Sequence, residues 1–177
     1  MSFVFGLFAI AAAQATQPGA MPTGDEMKFA IMERDSRLFY AAFENCQAEE
    51  LNDYLLPEFR MIHDQGGMVA ESREAFVGSI AEQCAARAPG GANEGYKNRR
   101  LITPGTRIIR QMGNWGALEE AAHSFYELRD GEWVMVGGAR YMHVWQWMAE
   151  EGKFRLKESL SYDHDAAIPY PLPPNEE

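Results

Sequence analysis

The sequence lacks most of the short patterns that mark catalytic and metal sites. Its two cysteines, Cys46 and Cys84, are too few for a disulfide scaffold and do not have the paired spacing of a zinc site. It has no glycine-rich phosphate loop, no pair of histidines at the spacing of a helical zinc motif and no serine in a nucleophile elbow. We therefore predict no metal site and no dedicated cofactor, and a serine hydrolase is disfavoured.

Positive charge is also scarce. The chain carries 16 basic and 26 acidic residues, which gives a formal net charge of -10. This charge repels phosphate backbones and anionic lipid surfaces beyond a Debye length of roughly 8 Å. Nucleic acid is therefore not an expected partner. The length of 177 residues and the hydrophobic share of 46% are those of one globular domain.

The one long hydrophobic run lies at the N-terminus, over residues 3–13. It is too short for a membrane span, which needs about 20 residues, and Ala13 and Ala15 form a small-x-small cleavage pattern after it. No Lys or Arg precedes the run. A buried N-terminal helix is the alternative, but Pro18 and Pro22 would break it. We expect a signal peptide and linker over residues 1–24, export to the periplasm or the medium, and no membrane contact after processing.

The rest of the chain predicts helices first and strands afterwards. Helical spacing of apolar residues predicts helices over 25–45, 48–56 and 73–87. Strand patterns predict β-structure over 59–64, 99–103, 106–112 and 116–128, and a hairpin of 139–147 with 156–164. One long, bent strand over 99–112 is an equal alternative to the two short ones. Residues 132–138 are predicted as a loop with some strand character, and 166–177 as an extended, proline-rich tail. This order predicts one α+β domain over residues 25–165, with helices covering one face of a bent antiparallel sheet.

Four segments in this order resemble a known superfamily: FRMIHDQGG at 59–67, WGALEEAAHSFY at 115–126, ARYMHVWQW at 139–147 and LSYDH at 160–164. They resemble the SnoaL-like, domain-of-unknown-function branch of the nuclear transport factor 2-like superfamily. The resemblance implies a cone in which three N-terminal helices wrap around a curved, mostly antiparallel sheet with one pocket, often paired into dimers. The superfamily includes isomerases, cyclases, dehydratases and binding modules, so the fold does not decide the chemistry.

Candidate catalytic residues lie at the end of the first predicted strand. Ketosteroid-isomerase-like members have an Asp base there, supported by a Tyr on the first helix and a protonated Asp on a late strand. The matching places fall near His63 or Asp64, at Phe39 with Tyr40 adjacent, and at Met142, so at most one of the three is matched. A histidine is a suitable base near pH 7, and His63 and Asp64 are therefore our acid–base candidates; the alternative is that the histidines are structural.

The late hairpin has two different faces. Tyr141, His143, Trp145 and Trp147 share one face of the strand. The resemblance implies that Met142, on the other face, points into the cone, so we predict that the aromatic face points outward and forms a homodimer. The alternative is that the aromatic residues line the pocket.

The resemblance also suggests which other residues contact a ligand. Arg140 would hold a carboxylate or enolate, or else pair with Glu119 or Glu120. The predicted ligand-binding residues are Arg140, Met142, Glu119, His123, Ser159, Ser161 and Tyr40. In an oxidising compartment the resemblance implies a disulfide between Cys46 and Cys84; the alternative is two buried thiols.

Three functions remain open at this point. The first is an exported, dimeric domain that binds a small, partly apolar molecule. The second is a cofactor-independent isomerase, cyclase or dehydratase with His63 or Asp64 as the base. The third is a non-catalytic dimerisation module, which would have no ligand-sized cavity.

Overall fold

The structure, a computed structural model, describes residues 19–166. Three α-helices lie within this range, with two short turns of other helical types between the first and second. In chain order they are α1 Gly24–Phe39, a π-helical turn Tyr40–Glu44, a 3-10 turn Ala48–Glu50, α2 Leu51–Tyr54 and α3 Arg73–Arg87. Helix α3 has its predicted bounds, and the Ala75 N–H donates to the Ser72 side chain at 3.1 Å, as an N-cap requires.

One curved sheet forms the rest of the described chain. Its strands are β1 Leu55–His63, β2 Gly67–Ala70, β3 Asn98–Ile102, β4 Ile108–Met112, β5 Gly116–Arg129, β6 Glu132–Met148 and β7 Lys153–Ala166. The strand order is β2-β1-β7-β6-β5-β3, and β4 pairs with β5 beside β3. Only the β1–β7 pair is parallel among these strands of residues 19–166. The predicted α+β cone with a mostly antiparallel sheet is confirmed.

Two predicted boundaries are wrong. The helix predicted over 48–56 ends at Tyr54, and Pro57 lies inside β1 instead of stopping a helix. A proline fits there because the β1–β7 ladder has a register shift between Leu55 and Arg60, so the missing N–H is not required for pairing. The loop predicted over 132–138 is the first half of β6.

The predicted orientation of β6 is also wrong. Tyr141, His143 and Trp145 are buried beneath helix α1, whereas Met142 is only half-buried and lies on the opposite face. The aromatic residues can be buried on the inner face because their polar groups form hydrogen bonds there. The Tyr141 hydroxyl and the Trp145 indole N–H both donate to Glu119. The alternative, in which the aromatic residues face the interior, is the one the structure supports. Tyr141, His143 and Trp145 are buried within one chain, so they cannot form the predicted dimer interface.

Two predicted segments lie wholly or largely outside the described residues. They are the signal peptide, of which residues 1–18 are not described, and the proline-rich tail from residue 167 onward. Within residues 19–166, no helix has the length and apolar character needed to cross a membrane.

Candidate functional site

Helix α1 places a carboxylate in the core. Its buried face is formed by Met27, Ile31, Asp35 and Leu38, at intervals of three and four residues, and Asp35 is fully buried. Asp35 is not among the predicted site residues. The signal was nevertheless readable, because a charged residue occupies a position at which the apolar face of the helix calls for a hydrophobic one.

Two arginines compensate this carboxylate. The Nη1 atom of Arg100, on β3, lies 3.1 and 3.3 Å from the two oxygens of Asp35, and Nη2 of Arg107 lies 2.7 Å from one of them. The Arg100 guanidinium is also held between the rings of Phe39 and Tyr141, at 3.7 and 4.4 Å. Burial alone would raise the pKa of Asp35, but Arg100, His143 and Arg107 together hold that pKa well below its usual range.

A second buried carboxylate, Glu119 on β5, lies beside the first. It accepts hydrogen bonds from the Tyr141 hydroxyl at 2.9 Å and from the Trp145 indole N–H at 2.8 Å. Nε of Arg107 lies 3.0 Å from the same oxygen that Tyr141 contacts. Arg107 therefore bridges Glu119 and Asp35, and burial together with these carboxylates raises the pKa of the Tyr141 phenol.

Two histidines complete this group. Nε of Arg100 donates to Nδ1 of His123 at 2.6 Å, and burial and the Arg100 charge lower the pKa of His123 to about 2. Nδ1 of His143 lies 3.4 Å from Asp35, and its ring stacks on Phe39. We call the following six residues the buried polar cluster: Asp35, Arg100, Arg107, Glu119, His123 and His143. Its two arginines balance its two carboxylates, so it is electrically compensated within the core.

An apolar cavity of about 240 Å³ adjoins this cluster. It lies between α1, α3 and the β1–β7 side of the sheet, and its walls are mainly aliphatic and aromatic. Three polar side chains also line it: Ser79, Gln83 and Ser159. Ser159 pairs across the sheet with His143, and Phe39 contacts both the cavity and the His143 ring. The cavity therefore reaches the edge of the buried polar cluster.

A larger and more open cleft of about 710 Å³ lies on the other side of Phe39. Arg100 and Arg107 form part of its wall, and Tyr40, 53% exposed, lies at its rim. The buried Nη2 of Arg100 has no hydrogen-bond partner within the described part of the chain. The cleft thus opens to solvent next to the buried Arg100 guanidinium, which has a free hydrogen-bond donor among the described residues.

The predicted acid–base pair, His63 and Asp64, lies elsewhere, at the end of β1. The structure adds His164 to it: His164 Nδ1 lies 2.7 Å from an Asp64 carboxylate oxygen, and His63 Nδ1 lies 3.2 Å from the same oxygen. The two imidazole rings stack at 3.9 Å, and Ser161 Oγ lies 3.2 Å from Nε2 of His164. We call His63, Asp64 and His164 the edge cluster.

The remaining predicted site residues divide between the two faces of the sheet. Ser159 and Ser161 are buried on the inner face, with Glu119 and His123. Arg140 is exposed on the outer face, with its guanidinium 5.8 Å from the Tyr162 ring, and Met142 shares that face. The cation paired with Glu119 is Arg107 and the one paired with Glu120 is Arg110.

Cys46 and Cys84 are joined in a disulfide, with their Cα atoms 5.4 Å apart. Cys46 follows the π-helical turn after α1, and Cys84 lies in the last turn of α3. The bond therefore ties together the two helices that flank the apolar cavity.

Comparison with protein-family models and with curated protein sequences gave no match. Solved structures do match. An NTF2-like protein with a cystatin-like fold from Novosphingobium aromaticivorans is 14% identical, with a TM-score of 0.61 over 77% of this chain and 80% of that one. An NTF2-like protein from Cytophaga hutchinsonii is 16% identical, with a TM-score of 0.56 over 80% and 98% of the two chains.

A third similar structure contains a small molecule. A protein from Catenulispora acidiphila in complex with S-DNPA is 13% identical, with a TM-score of 0.62 over 78% of this chain and 95% of that one. At these identities the likeness concerns the fold and leaves the chemistry open. Together with the cone of helices and curved sheet described above, these matches establish that the chain has the nuclear transport factor 2-like fold.

Proposed function

We propose that this chain is an exported, dimeric domain that binds a small, partly apolar molecule in the apolar cavity. The observation that carries this proposal is the cavity itself, which is lined by apolar side chains and has a few polar groups at defined places. Ligand sites in proteins generally have this composition. A non-catalytic dimerisation module would fill the space with its own side chains, so the cavity argues against that alternative.

The size of the cavity limits the ligand. Its volume of about 240 Å³ exceeds the roughly 150 Å³ that accepts benzene in an engineered apolar cavity, and lies just below the usual range of about 300–1,000 Å³. A substituted single-ring compound or a short branched chain fits this space. A hydroxyl or carbonyl group on the ligand would meet Ser159, next to His143.

Binding can be tested with benzene, phenol and indole as probes, by saturation-transfer NMR and calorimetry. Ser79 lies on the cavity side of α3, and a tryptophan there would fill the cavity entrance. Ala81, an exposed residue on the same helix, lies outside the cavity lining and gives a matched control. We expect Ser79→Trp to abolish probe binding and Ala81→Trp to retain it. Equal binding by both variants would contradict the assignment.

A second candidate function is acid–base catalysis of the isomerase, cyclase or dehydratase type. The supporting observation is the His143–Asp35 pair, an imidazole 3.4 Å from a buried carboxylate, which lies behind Phe39 and Ser159 of the cavity wall. Phe39 and Ser159 connect this pair to the ligand space, whereas Asp64 already accepts the backbone N–H of His164 at 3.3 Å, which helps to lower the pKa of Asp64 and weakens it as a base. If the chain is an enzyme, His143→Gln should abolish turnover and leave binding of the probes within about twofold.

The outer face of the sheet is the proposed dimer interface. The half-buried residues Met142, Val144, Leu160 and Ile62 form neighbouring positions on β6, β7 and β1. Apolar side chains exposed together on one face are typical of surfaces that bind a partner. Sedimentation equilibrium should give a dimer, and Met142→Glu should give a monomer that retains the cavity.

Export is supported by the N-terminal sequence pattern and is compatible with the disulfide between Cys46 and Cys84, since such bonds persist in oxidising compartments. Expression of the full chain in a bacterial host, followed by intact-mass measurement of the periplasmic fraction, tests it. We expect a species cleaved near residue 15 with oxidised cysteines. A full-length cytosolic species with free thiols would contradict export.

A further inference from the structure

The side chains of the edge cluster are of the types that bind metal ions, and none of them lines the apolar cavity. Two imidazoles and one carboxylate offer donor atoms that all lie within 4.8 Å of one another. The donors come from the end of β1 and from β7, which are adjacent parallel strands, and the Asp64 N–H donates to the Ser161 carbonyl at 3.0 Å. The three side chains are thus positioned by paired strands and not by a free loop.

A β-bulge brings His164 to this place. In a regular strand, Ser161 and His164 would point to opposite faces, because side chains alternate. Asp163 has a φ of 55°. The four residues from Tyr162 to Asp165 on β7 lie opposite the three from Arg140 to Gly138 on β6, so β7 has one extra residue here. The extra residue reverses the alternation. His164 therefore points to the Ser161 side and contacts Asp64, and bulges with this re-aiming effect recur beside functional sites.

The charges around the edge cluster favour a bound cation. Within residues 19–166, Asp64 forms ion pairs with the two histidines alone, and no Lys or Arg pairs with it. In the buried polar cluster, by contrast, arginines occupy the carboxylates. Nδ1 of His63 accepts the Gln65 N–H at 3.2 Å, so this nitrogen carries a lone pair in the structure. A metal ion would take that lone pair in place of the Gln65 N–H.

Ser161 already contacts the other ring nitrogen of His164. Ser161 Oγ contacts Nε2 and leaves Nδ1 directed at the carboxylate oxygen. Histidine ligands in metal sites usually have their other ring nitrogen held in this way, which fixes the tautomer and the ring orientation.

We propose that His63, Asp64 and His164 bind a divalent first-row transition metal ion through two imidazole nitrogens and one carboxylate oxygen. This donor set suits Zn²⁺, Co²⁺, Ni²⁺ and Fe²⁺ and leaves coordination positions for water or another ligand. The present nitrogen-to-oxygen distances of 2.7 and 3.2 Å are close to the roughly 3.3 Å between ligands around a tetrahedral ion. The stacked rings must turn apart on binding, and their partial exposure gives them room.

The site lies near the apolar cavity. Met61 and Ser159 line the cavity and pair with each other, and His63 and Ser161 are the next inward-facing pair along the same two strands. Two residues of a strand correspond to about 7 Å. A metal-bound water would therefore lie close to one end of the cavity, although the metal proposal does not depend on a cavity ligand.

The test uses the full chain purified without a polyhistidine tag and with no small molecule added. Zn²⁺ binding is measured by calorimetry and Co²⁺ binding by its visible absorption, whose intensity reports four- or five-coordinate nitrogen and oxygen ligands. We expect one ion per chain, binding at least about 100-fold weaker in His63→Ala and His164→Ala, and about 10-fold weaker in Ser161→Ala. Asp130→Asn, in the β5–β6 turn, is the control and should bind as the unmodified chain does.

Absence of saturable binding, or equal affinity in all four variants, would overturn the proposal. Urea unfolding of each variant separates loss of the site from loss of the fold, since the edge cluster is partly exposed and its alanine variants should remain folded. If metal binding is absent while the cavity still binds benzene, phenol or indole, the metal proposal fails and the proposed cavity function stands.

Discussion

Residues 19–166 contain two groups in which a carboxylate lies next to histidine, and the two groups differ in the cations that surround the carboxylate. In the buried polar cluster, Asp35 is fully buried and held by Arg100 and Arg107. In the edge cluster, Asp64 is partly exposed, and among residues 19–166 it contacts two imidazoles and forms an ion pair with no Lys or Arg. The buried group needs permanent cations because an uncompensated charge in the core is too costly. The exposed group tolerates incomplete compensation, as the proposed metal site requires.

The largest expected effect comes from removing the buried carboxylate charge. Asp35→Asn leaves Arg100 and Arg107 with one carboxylate between them, and breaking a buried pair in this way costs about 3–5 kcal/mol. Asp64→Asn in the edge cluster should cost less than about 1 kcal/mol, because solvent screens it. Urea unfolding monitored by circular dichroism measures both free energies of unfolding. Similar losses in the two variants would mean that burial does not distinguish the clusters.

The next effect concerns one hydrogen bond to the second buried carboxylate. Tyr141→Phe removes the 2.9 Å hydroxyl contact to Glu119 and should cost about 1.5–3 kcal/mol, the range for hydrogen bonds to charged groups. Tyr162→Phe makes the same chemical change on the outer face of the sheet and should cost less than about 0.5 kcal/mol. Thermal unfolding of the two variants checks the difference. A larger loss in Tyr162→Phe would reverse our assignment of the inner and outer faces.

A pH effect of about 2 kcal/mol should arise from His123. Its pKa is about 2 in the folded protein and about 6.5 in the unfolded chain, so below pH 6.5 only the unfolded chain takes up this proton. Stability is therefore lost as the pH falls, by about 1.4 kcal/mol per unit, or about 2 kcal/mol between pH 7 and pH 5. Asp35 adds nothing in this window, because its carboxyl is ionised in both states above pH 5.

His123→Gln isolates this contribution. Glutamine does not titrate, and its side-chain oxygen can still accept the hydrogen bond from Nε of Arg100. Urea unfolding at pH 7 and pH 5 should show about 2 kcal/mol less pH dependence in the variant than in the unmodified chain. An unchanged pH dependence would mean that His123 is not held neutral by its surroundings.

The elements and their order could be predicted from the sequence because they depend on local patterns. Helix α3 and its Ser72 cap are read from a few neighbouring residues. The orientation of β6 could not be read in this way. Alternation separates Tyr141 and His143 from Met142, but only the distant contacts with Asp35 and Glu119 decide which side is interior.

The two clusters were predictable to different degrees. His63 and Asp64 are adjacent in sequence, and Glu119 and His123 were selected for their residue type, although Arg107 and Arg100 were missed as their partners. Asp35 interrupts an apolar helical face and could have been identified from that interruption. His164 could not be joined to the edge cluster, because the bulge at Asp163 reverses the alternation and leaves no clear sign in the sequence.

The smallest effect tests that bulge. Asp163→Gly and Asp163→Val both remove the carboxylate, but glycine adopts a positive φ freely whereas a β-branched residue resists it, at a cost of about 1–2 kcal/mol. We expect Asp163→Val to lose about 1 kcal/mol relative to Asp163→Gly in urea unfolding, and to bind Co²⁺ more weakly because His164 turns away from Asp64. Equal Co²⁺ binding by the two variants would show that His164 is aimed by its contacts with Ser161 and Asp64 and not by the backbone.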